Sequence, residues 1–493
     1  MLSIVASHPY HDASIAYFNT KVGYLKFERL LQNKHFGFYI TGKSAVEFQI
    51  QDFIAVYCKN KYNGNFLDIS YSEHQKYQGH HRKHAYSVEI LEKEKIDAHV
   101  VVDGLGDNAD LWCSIFRDDK IISQILTSNS GVSFGDGLGI IANYLDIEGH
   151  GLDLAGKLMG WQSYGRLNLK HYENLLKYNM NYTSTAVKGM RKDRPWKWTV
   201  ASDDHLYFVD RTLPLQQKLD IAHTIHFRIG ELLLEFFEKH FKPHERIGYS
   251  GGVAQNVVWN TLLKKKYPNL IIYPHCSDEG LTFGTLELFR QSKNLPKFNM
   301  SRYPFMQSDQ SPHSQPTIDT IYQTAKFLNE GKIVAWYQGH GEIGPRALGH
   351  RSILMDPRIK NGKDIINRVK NREYYRPFGA SVLQEYGKEY FDLDFENPYM
   401  LYLGTTQKDN LQAITHVDGT CRAQTVNESF DYAFRKLLEV FHELSGCPLL
   451  LNTSLNEAGK PIAGWIENAM NLFKSTDIDV LVVGNTIYKK QNV

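Results

Sequence analysis

Short apolar runs broken by glycine turns alternate with stretches of helical period along most of this chain. Residues 1–6 form one apolar run and residues 14–18 begin another, with the polar turn SHPYHDAS between them. Residues 97–106, DAHVVVDGLG, predict a buried strand running into a turn, and residues 112–116 and 120–126 alternate as a following hairpin. The clearest helix spans 215–240, where Leu219, Ala222, Ile225, Ile229, Leu232, Leu233 and Phe236 recur at helical spacing as a core face. Residues 247–260, IGYSGGVAQNVVWN, read as a strand, a Gly-Gly turn and a helix start, and 261–275 as a strand leading to Asp278. Residues 291–316 lose periodicity and collect Ser, Pro, Gln and Asn, the composition of a linker. A helix over 317–329 then leads to short buried strands at 333–336 and 448–451.

Composition narrows this picture only a little. At 493 residues two domains are the default. A net charge of +2 gives no overall electrostatic case for nucleic acid or membrane, so any basic surface is local. Cys58, Cys113, Cys276, Cys421 and Cys447 are scattered without a CxxC pair, which argues for a reducing compartment. The first residues carry no basic region before a long apolar stretch, and no membrane span is visible, so a cytoplasmic protein is expected.

The candidate chemistry gathers in five places. The first is 331–358, where Gly339, Gly341 and Gly344 are followed by Arg346, Arg351 and Arg358. Glycine lets backbone approach a ligand, and guanidinium forks suit phosphate; the same arginines could instead pair with Glu342 and Asp356. The second is His11-Asp12, a base near its working pKa beside a carboxylate that could orient metal or water, or else a polar turn. The third is His80 and His84, four apart and so on one helical face, able to chelate a metal with a third ligand or to open a polar helix. The fourth is Gly251-Gly252 with Asn256, a phosphate-binding helix start. The fifth is the C-terminal set Lys370, Arg372, Arg376 and Arg422, with Asn452, Thr453, Ser454 and Asn456 at a strand end. Asp103 stands where a magnesium or water could be held, and Lys157 is an anion contact or a surface lysine. The basic, tryptophan-containing stretch 188–198 is a stacking surface or a solvated loop.

The strings GEIGPRALGHRSILMDPR (341–358), HDAS (11–14), FERLLQNKHF (27–36), HHRKHA (80–85), SGGVAQN (250–256), NREYYRPFG (371–379) and VDGTCRAQTV (417–426) together resemble the O-carbamoyltransferases of the nodulation and antibiotic-tailoring type. DLAGKLMGWQSYG (153–165) is similar to a further family motif but has Ala155 in place of a glutamate. The fold this resemblance implies is α/β (α+β). An actin-like, Kae1-like domain would span 1–295, a linker 296–316, and a YrdC-like α/β domain 317–493.

The resemblance also implies a division of labour. The C-terminal domain would form a carbamoyl-adenylate from carbamoyl phosphate and ATP with Mg2+. Its binding residues would be Lys332, Arg346, Arg351, Arg372, Arg376, Arg422, Asn452 and Ser454, with Gly251, Gly252 and Asn256 in the first domain and Arg346 also catalytic. A metal at His80, His84 and Asp278, Fe2+ or another divalent transition metal, would serve the transfer, with His11 as base, Asp12 beside it, and Glu28, Arg29, Lys34 and His35 supporting that loop. The acceptor would be a hydroxyl-bearing sugar, antibiotic core or nucleotide. No membrane or stable nucleic-acid complex is expected, and a homodimer suits the family. The alternatives are a threonylcarbamoyl-type transferase acting on tRNA and a non-catalytic nucleotide-binding protein.

Overall fold

The computed structural model describes residues 3–8, 12–18, 21–37, 66–69, 79–104, 106–107, 111–126, 133–149, 151–175, 198–199, 206–207 and 212–490. The chain forms two compact units, one of Tyr77–Leu288 and one that joins Met1–Lys76 to Phe289–Val493. Both are mixed α/β. Among the described residues no helix is long and apolar enough to cross a membrane.

In the first unit a five-stranded sheet runs in the order Leu270–Ile271, Ile247–Ser250, Ala98–Val102, Leu111–Arg117, Lys120–Leu126. The first three strands are parallel, and the last two continue antiparallel. The run Val100, Val101 and Val102 is wholly buried, as a strand covered on both faces requires. The helix Leu215–His240 buries Leu219, Ala222, Ile229, Leu232, Leu233 and Phe236, the face its periodicity marks. Residues 261–275 are not one strand. The helix Val257–Lys266 takes its first six residues and only Leu270–Ile271 is strand. Leu262-Leu263 and Leu270-Ile271-Ile272 are too short as apolar runs to reveal a period, so a helix end and a strand read alike.

The second unit holds an eight-stranded sheet, ordered Gly404–Thr405, Thr420–Val426, Gly379–Leu383, Leu449–Ser454, Arg351–Met355, Val334–Tyr337, Val480–Val483, Thr486–Lys489. Its central strands are buried throughout and carry the core of that unit. A smaller sheet pairs Val22–Lys26, Ser14–Phe18, Ser3–His8 and Phe66–Ile69. Its edge strand is stitched to the segment read as a linker. Ser308 N donates to Tyr24 O at 2.6 Å, and Gln307 donates through Nε2 to Lys26 O and accepts from Lys26 N. Residues 305–309 are therefore packed rather than free, with Gln307 and Met306 buried. The polar composition suggested a tether because glutamine and serine serve equally well as backbone partners inside a fold.

Candidate metal centre and arginine cluster

The helix His80–Glu89 starts from Gly79, whose φ of 105° brings the chain in at a sharp angle. Asp107 closes its free amino end, taking His80 N at 2.6 Å. His80 and His84 then lie on one face, toward the ends of the parallel strands Ala98–Val102 and Ile247–Ser250. Asp103 follows the first of these strands, and Asp278 opens the turn before the helix Leu281–Ser292.

These four side chains converge. His80 Nε2 lies 2.9 Å from Asp103 Oδ2 and 3.3 Å from Asp278 Oδ1. His84 Nε2 lies 3.2 Å from Asp103 Oδ2, 3.3 Å from Asp278 Oδ1 and 3.2 Å from His80 Nε2. Ligand atoms about 2.0–2.1 Å from a four-coordinate ion stand roughly 3.3–3.4 Å apart, so the spacing fits one small divalent cation. Burial lowers the pKa of both histidines, but the carboxylates outweigh it and hold them above their usual value. Burial likewise raises both carboxylates, and the histidines pull Asp103 and Asp278 well below the ordinary range. The site thus favours positive charge among two anions, which a divalent ion supplies. His81 faces elsewhere, with Nδ1 2.8 Å from Ser114 Oγ, and burial pushes its pKa down to about 3.

Asp103 was not among the expected ligands, although DGLG at the end of a buried strand marked it as a cation holder. Its second oxygen, Oδ1, accepts from Gly252 N at 2.9 Å. Gly251 is obligatory beside it. Its φ is 96°, and an added Cβ would stand 2.1 Å from Val102 O. Gly252 therefore gives its N–H to a carboxylate of the candidate metal centre. Asn256 caps the helix Val257–Lys266 by accepting from Trp259 N, and its amide nitrogen lies 3.0 Å from His226 Nε2. That is a capping role rather than the ligand contact its motif suggested. Asn256→Ala is expected to destabilise the protein by about 1 kcal/mol in denaturant melts, with no change in metal content.

In the second unit the N-terminal motifs meet. Lys26 Nζ bridges Asp12 Oδ1 at 3.0 Å and Glu28 Oε1 at 3.2 Å. His35 Nδ1 is 3.4 Å from Asp12 Oδ1, and His35 N donates to Glu28 Oε2 at 3.0 Å. Asp12, Glu28 and His35 could also surround a cation, although Lys26 already supplies one charge there. His11 and residues 188–197 lie outside the described residues.

The glycine-rich loop after Val334–Tyr337 is ordered by Glu342, wholly buried, whose Oε1 accepts from the N–H groups of Leu348, His350 and Arg351. Burial raises the Glu342 pKa, and Arg29, His350 and Arg351 outweigh it to lower the net value. Arg351 is not available to a nucleotide. It is fully buried, pairs with Asp309 Oδ1 at 3.0 Å, donates to the carbonyls of Gln338, Gly339, Gln310 and Ala463, and lies 3.7 Å over the Tyr337 ring. Breaking such a buried pair costs about 3–5 kcal/mol, the signature of a strut rather than a ligand arm. Lys332 stands at the opposite end of the strand from the loop, five residues or about 16 Å before Tyr337, half-exposed and 3.7 Å from Asp479. Arg358 is bound to Asp356 at 2.6 Å. In a glycine-rich string a structural guanidinium and a ligand-binding one look the same, because no period reports burial.

Arg346, Arg372, Arg376 and Arg422 are the cations that do gather. Burial lowers the Arg372 pKa, and Arg376, Arg422 and Arg346 depress it further. Burial brings Arg422 down to about 10, and its Nε is buried without a hydrogen-bond partner. Glu373 stands 3.8 Å from Arg376. Lys370 is pinned instead to Ser454 and Asn456, donating to Ser454 O at 2.5 Å and Asn456 Oδ1 at 2.9 Å. Asn452 and Gln424 hold the arginine loop, donating to Ala347 O and Leu348 O, while Asn452 Oδ1 is buried without a partner. Mutually repelling guanidiniums beside unfilled donor and acceptor positions could hold an anion.

The comparisons with known proteins agree with this arrangement at the family level. The family described as carbamoyltransferase N-terminus matches residues 24–286, and that described as carbamoyltransferase C-terminus matches 325–490. The nodulation protein NolNO of Sinorhizobium fredii is 32% identical over 303 residues, covering 56% of this chain and 45% of that protein. The 3'-hydroxymethylcephem-O-carbamoyltransferase of Amycolatopsis lactamdurans is 32% identical over 272 residues, covering 53% of this chain and 52% of that one. Among solved structures, the T. kodakarensis HypF is similar at a TM-score of 0.33 and 13% identity, over 60% of this chain and 50% of that one. The chain spans about half the length of the first curated relatives it matches. With the two family regions spanning most of it in the order its motifs implied, the chain belongs to the carbamoyltransferase family.

Proposed function

We propose that this protein is an ATP-dependent O-carbamoyltransferase. The arginine cluster carries the reading. Burial disfavours the charges of Arg372 and Arg422, and neighbouring Arg346 and Arg376 add to that cost, which polyphosphate offsets on binding. In this reading residues 317–493 form the YrdC-like part. There water releases phosphate from carbamoyl phosphate, and an oxygen of the resulting carbamate attacks the α-phosphorus of Mg2+-bound ATP to form carbamoyl-adenylate as the bond to pyrophosphate breaks. Arg346 and its neighbours neutralise the phosphates and stabilise charge as it moves onto the leaving pyrophosphate. Asn452 offers a buried acceptor for the carbamoyl amide, while Arg351 and Lys332 take no part.

The remaining part, 1–295, is read as actin-like and Kae1-like, with its first 76 residues built into the same compact unit as the C-terminal domain. His80, His84, Asp103 and Asp278 would hold Fe2+ or another divalent transition metal, which when bound polarises the carbamoyl group for attack. Asp103 orients that site against Gly252. His11 takes the proton from the acceptor hydroxyl, with Asp12 held beside it by Lys26 and His35, and AMP leaves. The acceptor is a hydroxyl-bearing small molecule such as a sugar, an antibiotic core or a nucleotide. The relative whose name specifies an O-carbamoyltransferase supports a hydroxyl acceptor over the tRNA reading.

The test is ATP–pyrophosphate exchange with and without carbamoyl phosphate. Exchange that requires carbamoyl phosphate supports the adenylate step. Its absence from folded protein turns the reading toward another acyl donor or a binding protein.

A further inference from the structure

Two motifs that read as separate in the sequence are joined through one side chain. The one-turn helix Phe27–Leu31 carries Glu28 toward the Asp12 cluster and Arg29 toward the glycine-rich loop. Arg29 is 2% exposed, and its Nη2 donates to Gly344 O at 3.0 Å. Its Nε and Nη1 are buried with no hydrogen-bond partner, which keeps the guanidinium as a charge among anions rather than a saturated donor. An added Cβ on Gly341 would stand 2.8 Å from Arg29 Nη1 and 2.4 Å from Asp309 Oδ2, so the loop backbone lies directly on this pair. The helix itself is fixed. Trp465 Nε1 donates to Leu30 O at 3.3 Å, and a Cβ on Gly464 would meet Arg29 O at 2.8 Å.

The geometry points to Arg29 as a positioning residue of the arginine loop. From the N-terminal helix its guanidinium holds residues 341–344, and through Glu342 the backbone of 348–351, in the shape that presents Arg346. This rests on the function proposed above. It assigns to the N-terminal motif a role in forming the adenylate, not only in supporting the Asp12 loop. Arg29 touches no substrate. It sets where Arg346 stands, and a displacement near 1 Å at such a group costs about 10²-fold in rate.

The experiment compares wild type with Arg29→Met, Arg29→Lys and Tyr17→Phe in carbamoyl-phosphate-dependent ATP–pyrophosphate exchange and in amide hydrogen exchange. Tyr17→Phe removes the Tyr17–Ser308 contact in the neighbouring strand and leaves every hydrogen bond made to Glu342 and to Gly344 O in place. Arg29→Met is expected to slow exchange about 10- to 100-fold and to raise half-saturating ATP. Arg29→Lys recovers part of that rate, added guanidinium ion recovers part in Arg29→Met, and Tyr17→Phe stays near wild type. The amides of Leu348, His350 and Arg351 lose protection in Arg29→Met, while the 77–288 unit keeps its own. A smaller folded fraction would lower the rate at unchanged half-saturation and give no rescue, which would overturn the proposal. So would a folded Arg29→Met with wild-type exchange and wild-type loop protection. If Arg29→Met does not fold, Arg29→Lys decides, and a wild-type rate and protection there also overturn it. If wild type itself shows no exchange, the adenylate reading fails, and the loop amides still report whether Arg29 holds the loop.

Discussion

Replacing Arg346 with alanine is expected to reduce carbamoyl-phosphate-dependent ATP–pyrophosphate exchange by about 10³-fold or more, the scale found when an arginine that stabilises phosphoryl charge is removed. The expectation follows from the cluster around it. Arg372 and Arg422 are half-buried beside Arg346 and Arg376, with Glu373 3.8 Å from Arg376. The folded protein without ligand carries this repulsion as a cost, so the same site predicts a second sign. Arg372→Met should raise the melting temperature of the ligand-free protein while abolishing the stabilisation that added pyrophosphate gives to wild type. Arg358→Ala is the control. Its guanidinium is committed to Asp356, and exchange should stay within about twofold of wild type. An Arg346→Ala enzyme with full exchange would remove the cluster from the chemistry.

Loss of His84 should separate the two half-reactions. His84→Ala leaves three of the converging groups, and metal affinity is expected to fall by more than about 100-fold, since even outer partners of a metal ligand are worth 10–100-fold. Metal content, read by elemental analysis after gel filtration, drops with it. Transfer of the carbamoyl group to a hydroxyl acceptor is lost, and ATP–pyrophosphate exchange continues. The pH dependence has a definite sign. Without metal both histidines hold protons above their usual 6.5, because Asp278 and Asp103 favour the imidazolium. That pairing stabilises the metal-free fold at low pH and is lost as pH rises through the raised values. A metal needs both rings neutral, so binding releases protons, and affinity falls with decreasing pH from above 6.5. Proton release measured by calorimetry in buffers of different ionisation enthalpy reads this directly. Unchanged metal content in His84→Ala would remove that histidine from the site.

Much of this was legible in the sequence. Residues whose chemistry follows from spacing stood out. His80 and His84 share a helical face whatever the rest of the chain does, and the long helix Leu215–His240 announces its buried side by period. The family resemblance implied Asp278, and its strings marked the arginines of 372–376 and 422. What stayed hidden depends on burial and on distant partners. Arg351 and Arg346 sit five apart in one glycine-rich string, yet one is saturated by carbonyls from residues 310 and 463 and the other joins the cation cluster. No local pattern records that difference. Asp103 reaches the histidines only because the strand Ala98–Val102 ends beside their helix, which is a fact of topology. The packing of 305–309 was hidden for the same reason, since its partners lie some 280 positions away.

Asp103 has one oxygen on the histidines and the other on the N–H of Gly252. Any ligand that draws that N–H to itself withdraws a hydrogen bond from a metal-site carboxylate and changes how tightly the cation is held. Linkage then requires the cation to change that ligand's affinity by the same factor. A ligand at the glycine turn that takes this N–H and a cation among the four side chains would therefore not bind independently, and a dissociation constant for either would have meaning only with the other specified.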